Sequence, residues 1–372
     1  MTPVDLVLPP GAQDNTSTSG CEASDFDGFP MGNIALIQRG TCTFRIKADN
    51  AVAAGASAAI IFNEGQQGRT DVIFGTLDPP QVAIPILDAS FEVGNELAGL
   101  AAEGLVVRAA ADVHVEQRTT SNVIADSPTG RADRVVMVGA HLDSVDEGPG
   151  INDNGSGSAA ILETAVQLAE WGDTRNAVRF AFWGAEESGL IGSQFWVDSL
   201  TRQQRNDVEL YLNFDMVGSP NFVRFVYDGD GSAFGVKGPS GSGHIEDTFT
   251  SFFASGDLAS EPTEFDGRSD YDAFINAGIP AGGLFTGAEG IKTAEEAAIY
   301  GGTAGDAYDP CYHLACDTFD NVSLVGLDQM SDAIAHATLT YAMTTSSVNG
   351  TAKASSKAAG YDPVFTGHRA AR

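Results

Sequence analysis

Five short segments of the chain bring together histidines and carboxylates, the side chains that bind divalent cations in proteins. They are Gly139–Ser144, Gly150–Gly157, Trp183–Gly189, Leu212–Met216 and Asp309–Asp317. Imidazole nitrogens and carboxylate oxygens are ligands that suit Zn²⁺. So many carboxylates are hard to accommodate in one place without a cation, because neighbouring like charges repel. If the fold brings them together, these segments indicate a metal site.

Each of these residues also has an ordinary explanation when it is taken alone. The pair Glu186-Glu187 could start a helix, where carboxylates favour the positive end of the dipole. Asp153 could shape a turn, and Asp215 could cap a helix. Only their joint placement at the end of one sheet makes a metal site the better interpretation.

The segments lie among alternating predicted strands and helices, and several directly follow a strand. The strands are predicted at Arg134–Gly139, Ala177–Trp183, Val208–Phe214 and Ile279–Phe285, and the helices at Ser156–Glu170, Ser188–Leu200, Ser269–Ala277 and Leu324–Met343. This alternation predicts an α/β fold: a doubly wound, mostly parallel sheet with helices on both faces. In such sheets, sites form just outside the carboxyl ends of the strands.

A smaller α/β unit precedes this region. Its strands are predicted at Asn33–Gln38, Ala58–Phe62 and Val82–Leu87, and its helices at Phe44–Ala54 and at 91–100, the second capped by Ser90. We therefore expect domains at residues 1–110 and 111–346, followed by a flexible tail at 347–372 that is rich in Ser, Ala, Gly and Thr.

The charge of the chain limits its partners. Its 372 residues carry 50 acidic and 20 basic side chains, a formal charge of −30. Nucleic acids and anionic membranes are therefore poor partners, since both would repel such a chain. No apolar run reaches the ~18–20 residues that span a bilayer, and no signal peptide is visible after Met1.

The four cysteines indicate an oxidising compartment. Their short separations favour the pairs Cys21–Cys42 and Cys311–Cys316 out of three possible pairings, with free thiols as the alternative. Disulfides are typical of extracellular proteins.

The five segments resemble those of the secreted bacterial two-zinc aminopeptidases, a leucine-preferring family with co-catalytic zinc ions. The resemblance runs from about Ser121 to Met343. It implies the zinc exopeptidase fold, two Zn²⁺ per chain, a secreted monomer, and hydrolysis of the N-terminal bond of peptides or proteins. Nothing in the sequence supports an additional Ca²⁺ site.

The resemblance also implies a ligand set. Asp153 bridges the two zinc ions. His141 and Asp215 complete the site of one ion. Glu187 and His313 complete the site of the other. Three protein ligands per ion leave an open position for water, as catalytic sites require.

Further roles follow from the same resemblance. Glu186 is the general base, and Tyr312 donates a hydrogen bond to the developing oxyanion. Asp143 orients the imidazole of His141, and Asp317 is a weaker candidate for such a role.

The same resemblance assigns substrate-binding residues. Arg268 maps to the segment that reads the free N-terminal ammonium, through its main chain, with a surface arginine as the alternative. Met216, Gly267 and Phe285 map to an apolar pocket that favours Leu, Phe or Met, with ordinary core packing as the alternative.

The first unit resembles a protease-associated (PA) domain through residues 32–44 and 51–63. In related peptidases this module is inserted in the catalytic fold and is not catalytic, and a role as a lid or in substrate selection is a hypothesis. The family's peptidase domain usually begins with helices and a strand before the module. Nothing suitable precedes Val4, so we expect the chain to be incomplete at its N-terminus.

Two alternatives to an aminopeptidase stay open. One is a related zinc carboxypeptidase, which needs basic residues for the substrate C-terminus, and this chain has few. The other is a receptor-like relative that has lost its metals, although this sequence keeps all five ligands and Glu186.

Overall fold

The structure is a computed structural model that describes residues 1–12, 16–66, 68–73, 75, 77, 81–112 and 118–349. The chain divides into two compact units, which contain residues 1–112 and 118–349 of the described part. No helix in the described ranges combines the length and the apolar composition needed to cross a bilayer.

The first unit is built on a four-stranded parallel sheet. Its strands, in sheet order, are β1 (Thr2–Val4), β2 (Ile34–Gln38), β3 (Ala58–Phe62) and β4 (Ile86–Ala89). Two helices, α1 (Phe44–Ala53) and α2 (Phe91–Ala102), and a 3₁₀ turn, Ala23–Phe26, complete it. Ser90 caps α2 as expected, because its side chain accepts a hydrogen bond from the backbone N–H of Val93.

One strand of this unit is shifted from its expected position. The sequence predicts a strand at 82–87, but β4 begins only at Ile86. The reason is Pro85, which has no N–H to donate to a ladder, although its carbonyl still accepts from Ala59. The predicted disulfide between Cys21 and Cys42 is present.

The second unit contains a seven-stranded sheet. In chain order its strands are β5 (Val123–Asp126), β6 (Arg131–His141), β7 (Asn176–Trp183), β8 (Val208–Phe214), β9 (Phe225–Tyr227), β10 (Glu261–Thr263) and β11 (Ala281–Phe285). The order across the sheet is β10-β9-β11-β8-β6-β7-β5. The four central strands are mutually parallel, while β5 and β9 pair antiparallel to their neighbours β7 and β11.

Eight helices accompany this sheet in the described residues. They are α3 (Gly157–Trp171), α4 (Ile191–Ser199), α5 (Arg202–Asp207), α6 (Ser242–Ser255), α7 (Tyr271–Asn276), α8 (Ala294–Tyr300), α9 (Leu324–Met343) and α10 (Ser346–Asn349). Two irregular turns, Ile151–Ser156 and Phe319–Asn321, lie among them.

The alternation of side chains along β6 shows that both faces of the sheet are covered. Val136 and Val138 belong to one apolar cluster with residues of α3, α6 and α9. Val135 and Met137 point to the opposite face and join a second cluster with residues of α4 and α7. The predicted doubly wound, mostly parallel sheet is confirmed.

The sheet brings the chemical segments to one edge. His141 is the last residue of β6, and β7, β8 and β11 end at Trp183, Phe214 and Phe285. Because these four strands are parallel, their carboxyl ends meet at the same edge.

Some boundaries differ from the sequence prediction. A helix was expected from Ser188, but α4 begins at Ile191, because Gly189 and Leu190 both have positive φ angles. The helix α6 was not predicted, although Ile245 and Phe249 recur at a helical spacing and are buried on its inner face.

The start of the expected tail belongs to the fold. Residues 346–349 form α10, Val348 is buried, and the Asn349 amide donates to the Glu209 carboxylate at 2.8 Å. The predicted start of the tail at residue 347 is therefore too early. Most residues of this stretch are polar, so nothing in the sequence indicates that Val348 is buried. Residues 350–372 lie outside the described part.

Candidate metal centre

His141 is held as a metal ligand would be. It is almost fully buried, and its Nδ1 lies 3.0 Å from the carbonyl oxygen of Asp143. The Nδ1 position therefore carries a proton, and Nε2 is the nitrogen directed toward the metal position. Nε2 lies 3.1 Å from Asp153 Oδ1 and 3.2 Å from Asp215 Oδ1.

His313 faces the opposite side of the same carboxylate. Its Nε2 lies 3.2 Å from Asp153 Oδ2 and 3.1 Å from Glu187 Oε2. Each oxygen of Asp153 thus faces a different histidine, and each histidine has a second carboxylate beside it. The structure brings together all five residues that the sequence named as ligands.

The spacing of these donor atoms fits zinc. A tetrahedral ion with bonds of about 2.0 Å holds its ligand atoms ~3.3 Å apart. The four distances from the imidazole nitrogens to the carboxylate oxygens are 3.1–3.2 Å. In addition, Glu187 Oε1 is buried and accepts no hydrogen bond from the described residues. The nitrogen and oxygen donors are those that Zn²⁺ prefers.

The electrostatics of the cluster point the same way. Burial lowers the pKa of His313, but the adjacent carboxylates of Asp153 and Glu187 outweigh it and raise the pKa to about 10. The pKa of His141 is also raised, because the field of Asp215 and Glu186 outweighs the burial that would lower it. In the absence of a metal these shifts favour protonated imidazoles, and metal binding would displace those protons.

Glu186 lies beside the candidate ligands, and its carboxylate is near His141. Its side chain is buried, and Oε2 is 4.0 Å from Nε2 of His141. The Glu186 carboxylate is therefore close to the centre, but farther from His141 than the carboxylates of Asp153 and Asp215 are.

Asp143 positions the centre in a different way from the one the sequence suggested. Its carboxylate lies 3.8 Å from Nδ1 of His141, so the backbone carbonyl makes the orienting contact. The carboxylate instead accepts from the backbone N–H groups of Glu186 at 3.0 Å and Glu187 at 3.2 Å. Asp143 therefore fixes the loop that carries both glutamates.

Asp317 likewise acts on the backbone rather than on an imidazole. Its two carboxylate oxygens accept from the N–H groups of Asn152 at 2.9 Å and Asp153 at 3.1 Å. These bonds hold the irregular turn from Ile151 to Ser156, in which the Asp153–Asn154 peptide bond is cis.

The sequence analysis assigned no role to the two asparagines that flank Asp153, Asn152 and Asn154. Asn154 donates from its side-chain amide to the carbonyl of Phe214 and accepts from the N–H of Met216. Asn152 donates to the carboxylate of Asp309 at 2.7 Å. These amides tie the turn of Asp153 to the segments that carry Asp215 and His313.

A chain of hydrogen bonds behind Asp215 was also not predicted. Ser269 Oγ donates to Asp215 Oδ2 at 2.6 Å, and Asn213 donates to Ser269 at 2.8 Å. Tyr211 in turn donates to Asn213 at 2.9 Å. Asn213 lies inside one of the five segments, but no spacing rule in the sequence links it to Ser269.

The residues predicted to contact substrate surround this edge of the sheet. Met216 follows Asp215 and is buried, and Phe285 ends β11 and stacks on Phe225. Gly267 has a positive φ angle of 78°, which favours glycine there.

The guanidinium of Arg268 donates to Tyr312 Oη at 3.1 Å, a side-chain contact that the sequence did not predict.

The predicted disulfide Cys311–Cys316 is present and spans the segment that holds Tyr312 and His313. The ring of Tyr312 stacks on the imidazole of His313, with centroids 3.8 Å apart. The disulfide closes a short loop around both residues, which restricts the conformations of the segment.

A second acidic group, Asp228, Asp230 and Glu246, lies in the same unit. Asp228 accepts hydrogen bonds from three backbone N–H groups, and Glu246 accepts from two. These bonds account for the proximity of the carboxylates.

Comparison with known proteins identifies both units. Residues 122–338 match the model of Peptidase family M28, and residues 3–97 match the PA domain. The chain is 52% identical over 353 residues to an aminopeptidase of Pseudomonas aeruginosa, covering 94% of this chain and 64% of that protein. It is 49% identical over 325 residues to leucine aminopeptidase 2 of Trichophyton equinum, covering 87% and 65%. The chain thus spans less than two thirds of the length of these relatives.

Two solved aminopeptidase structures are also similar to this chain. An aminopeptidase from Aneurinibacillus sp. strain AM-1 superposes with a TM-score of 0.68 at 28% identity, covering 86% of this chain and 71% of that one. BSAP, a zinc aminopeptidase from Bacillus subtilis, superposes with a TM-score of 0.57 at 26% identity, covering 87% and 74%.

The contacts of Asp143 predict an effect on metal retention. We expect Asp143→Asn to weaken zinc binding by about 10–100-fold, because an amide cannot accept from both N–H groups of the glutamate loop. Zinc affinity is measured by competition with a chromophoric chelator. Asp146→Asn is the matched control, since Asp146 is exposed on the same loop and should bind zinc as the wild type does. Equal affinities for the two variants would contradict the role given to Asp143.

Proposed function

Because the chain belongs to peptidase family M28 and carries a PA domain, we propose that it is a zinc aminopeptidase that removes the N-terminal residue of peptides and proteins. In this proposal the catalytic domain begins at residue 111 and includes α10, and residues 1–110 form the PA domain. The names of the curated relatives support an exopeptidase that acts at the amino end.

The observation that carries the proposal is the position of Asp153 between His141 and His313. Each of its two oxygens would supply a ligand to a different cation site, so we assign two Zn²⁺ to each chain. His141 and Asp215 complete one site, and His313 and Glu187 complete the other. When bound, the zinc ions would polarise the scissile carbonyl and lower the pKa of the attacking water.

The side chains around the metals supply the proton transfers. Glu186 accepts the proton of the attacking water and passes it to the leaving amine. Its burial and its 4.0 Å separation from His141 support this role. Tyr312 donates a hydrogen bond from its phenolic O–H to the oxyanion that develops on the substrate carbonyl.

The substrate end of the site selects a free amine and an apolar side chain. The main chain at Arg268 and the nearby carboxylates would hold the N-terminal ammonium. Met216, Gly267 and Phe285 would line the pocket for the first side chain, which favours Leu, Phe or Met. The two disulfides support an extracellular location, since such bonds persist in oxidising compartments.

Removal of the general base is the sharpest test of the mechanism. We expect Glu186→Gln to lower kcat for leucine p-nitroanilide by about 10²–10⁴-fold, since the amide cannot accept the water proton. Zinc content should stay at the wild-type value, because Glu186 is not a ligand. Glu187→Gln, at the neighbouring position, should lose zinc instead. Unchanged kcat in Glu186→Gln would refute its role as the base.

The direction of attack on the peptide is tested separately with blocked dipeptides. An aminopeptidase should cleave a dipeptide amide and leave an N-acetyl dipeptide intact. The reverse result would identify a carboxypeptidase, and cleavage of neither would refute both activities.

The wall of the apolar pocket generates a specificity prediction. We expect Phe285→Ala to reduce the ratio of kcat/KM for leucine over alanine anilides by about tenfold, since each lost apolar contact contributes ~1–3 kcal/mol to discrimination. Phe319→Ala is the control, because Phe319 is 65% exposed and lies outside the proposed pocket. An unchanged ratio in Phe285→Ala would place the pocket elsewhere.

A further inference from the structure

An ion pair beside the proposed active site ends on Tyr312. Arg268 Nη1 lies 2.8 Å from Glu289 Oε1, and Nη2 lies 3.4 Å from Glu289 Oε2. The same Nη2 donates to Tyr312 Oη at 3.1 Å. We propose that Glu289 is a positioning residue for peptide hydrolysis: it fixes Arg268, and Arg268 holds the Tyr312 hydroxyl in the orientation that donates to the substrate. This inference rests on the function proposed for the site.

The chemistry of arginine determines the direction of the hydrogen bond. A guanidinium has only donors, so Tyr312 Oη must be the acceptor in its contact with Arg268. The phenolic proton is then left for another acceptor. Within the described part of the chain, Arg268 is the only group with a hydrogen bond to Tyr312 Oη. The proton is therefore available to a substrate oxygen, and the bond from the cation makes the phenol a stronger donor.

The ring and the guanidinium are held by different contacts. The stacking of Tyr312 on His313 fixes the plane of the ring but not the direction of the O–H bond. That direction depends on where the guanidinium lies. The backbone of Arg268 is anchored by Asp266, which accepts from its N–H at 3.0 Å, whereas its side chain is 38% exposed. The two-point contact with the Glu289 carboxylate keeps the Arg268 guanidinium beside the hydroxyl oxygen of Tyr312.

The same geometry separates a functional role from a structural one. Glu289 is 57% exposed, and exposed ion pairs contribute little to stability. Loss of the Glu289 charge should therefore leave the fold intact. It should release Arg268 toward the solvent and so weaken a hydrogen bond that matters only when the oxyanion forms. The effect should appear in kcat and not in KM or in the melting temperature.

A double-mutant cycle tests this proposal. We expect Glu289→Gln to lower kcat for leucine p-nitroanilide about tenfold, as loss of an outer positioning contact does, with KM, zinc content and melting temperature unchanged. Tyr312→Phe should lower kcat by roughly 10²-fold, as loss of an oxyanion donor does. In the Tyr312→Phe background, Glu289→Gln should have no further effect, because its influence passes through the hydroxyl. Glu295→Gln, an exposed acid on α8, is the control for the change in charge.

The other outcomes overturn the proposal. An additive loss in the double variant, a wild-type kcat in Glu289→Gln, or full activity in Tyr312→Phe would each show that Glu289 does not act through Tyr312. If Glu289→Gln folds poorly, Glu289→Asp provides the same cycle, and it should retain more kcat than Glu289→Ala because it keeps the charge. Failure of the wild type to hydrolyse the anilide would instead refute the proposed function.

Discussion

A single carboxylate determines the arrangement of the candidate centre. Asp153 is buried, and each of its oxygens lies within 3.2 Å of a different imidazole nitrogen, on His141 and His313. Burial alone raises the pKa of this carboxyl, but the two histidines outweigh it and hold the pKa below its usual range. Four carboxylates converge there, so positive charge must be supplied by protons or by metal ions. The rest of the unit can be understood as the framework that keeps these like charges together.

That framework has two parts. The first is the sheet, whose parallel central strands deliver the ends of β6, β7, β8 and β11 to one edge. The second is a set of hydrogen bonds between the loops. Asp317 holds the turn of Asp153, Asp143 holds the glutamate loop, and Ser269 holds Asp215. Because these partners are themselves buried or anchored to the backbone, the ligand positions depend little on side-chain freedom.

The sequence predicts the central sheet and the convergence of the five named residues at its edge well, for a physical reason. The strand β6 contains a continuous apolar run, Val135–Val138, and the ligand His141 follows it at the end of the strand, where the sequence changes to polar residues. The residues that hydrogen-bond to the ligands and to their loops are not marked by any such change in the sequence. Nothing in the sequence around Asn154 or Ser269 indicates a partner, and only the tertiary fold shows that these side chains contact Phe214 and Asp215. The pairing of Arg268 with Glu289 could not be read either, because nothing in a separation of 21 residues predicts a contact.

We propose that Asp153 shares its carboxylate between two metal ions. Crystals of the zinc-loaded protein, measured on both sides of the zinc absorption edge, test it directly. We expect two anomalous peaks ~3.5–4 Å apart, one beside each oxygen of Asp153, next to His141 and His313. One peak only, or two peaks that do not share the Asp153 carboxylate, would contradict this account.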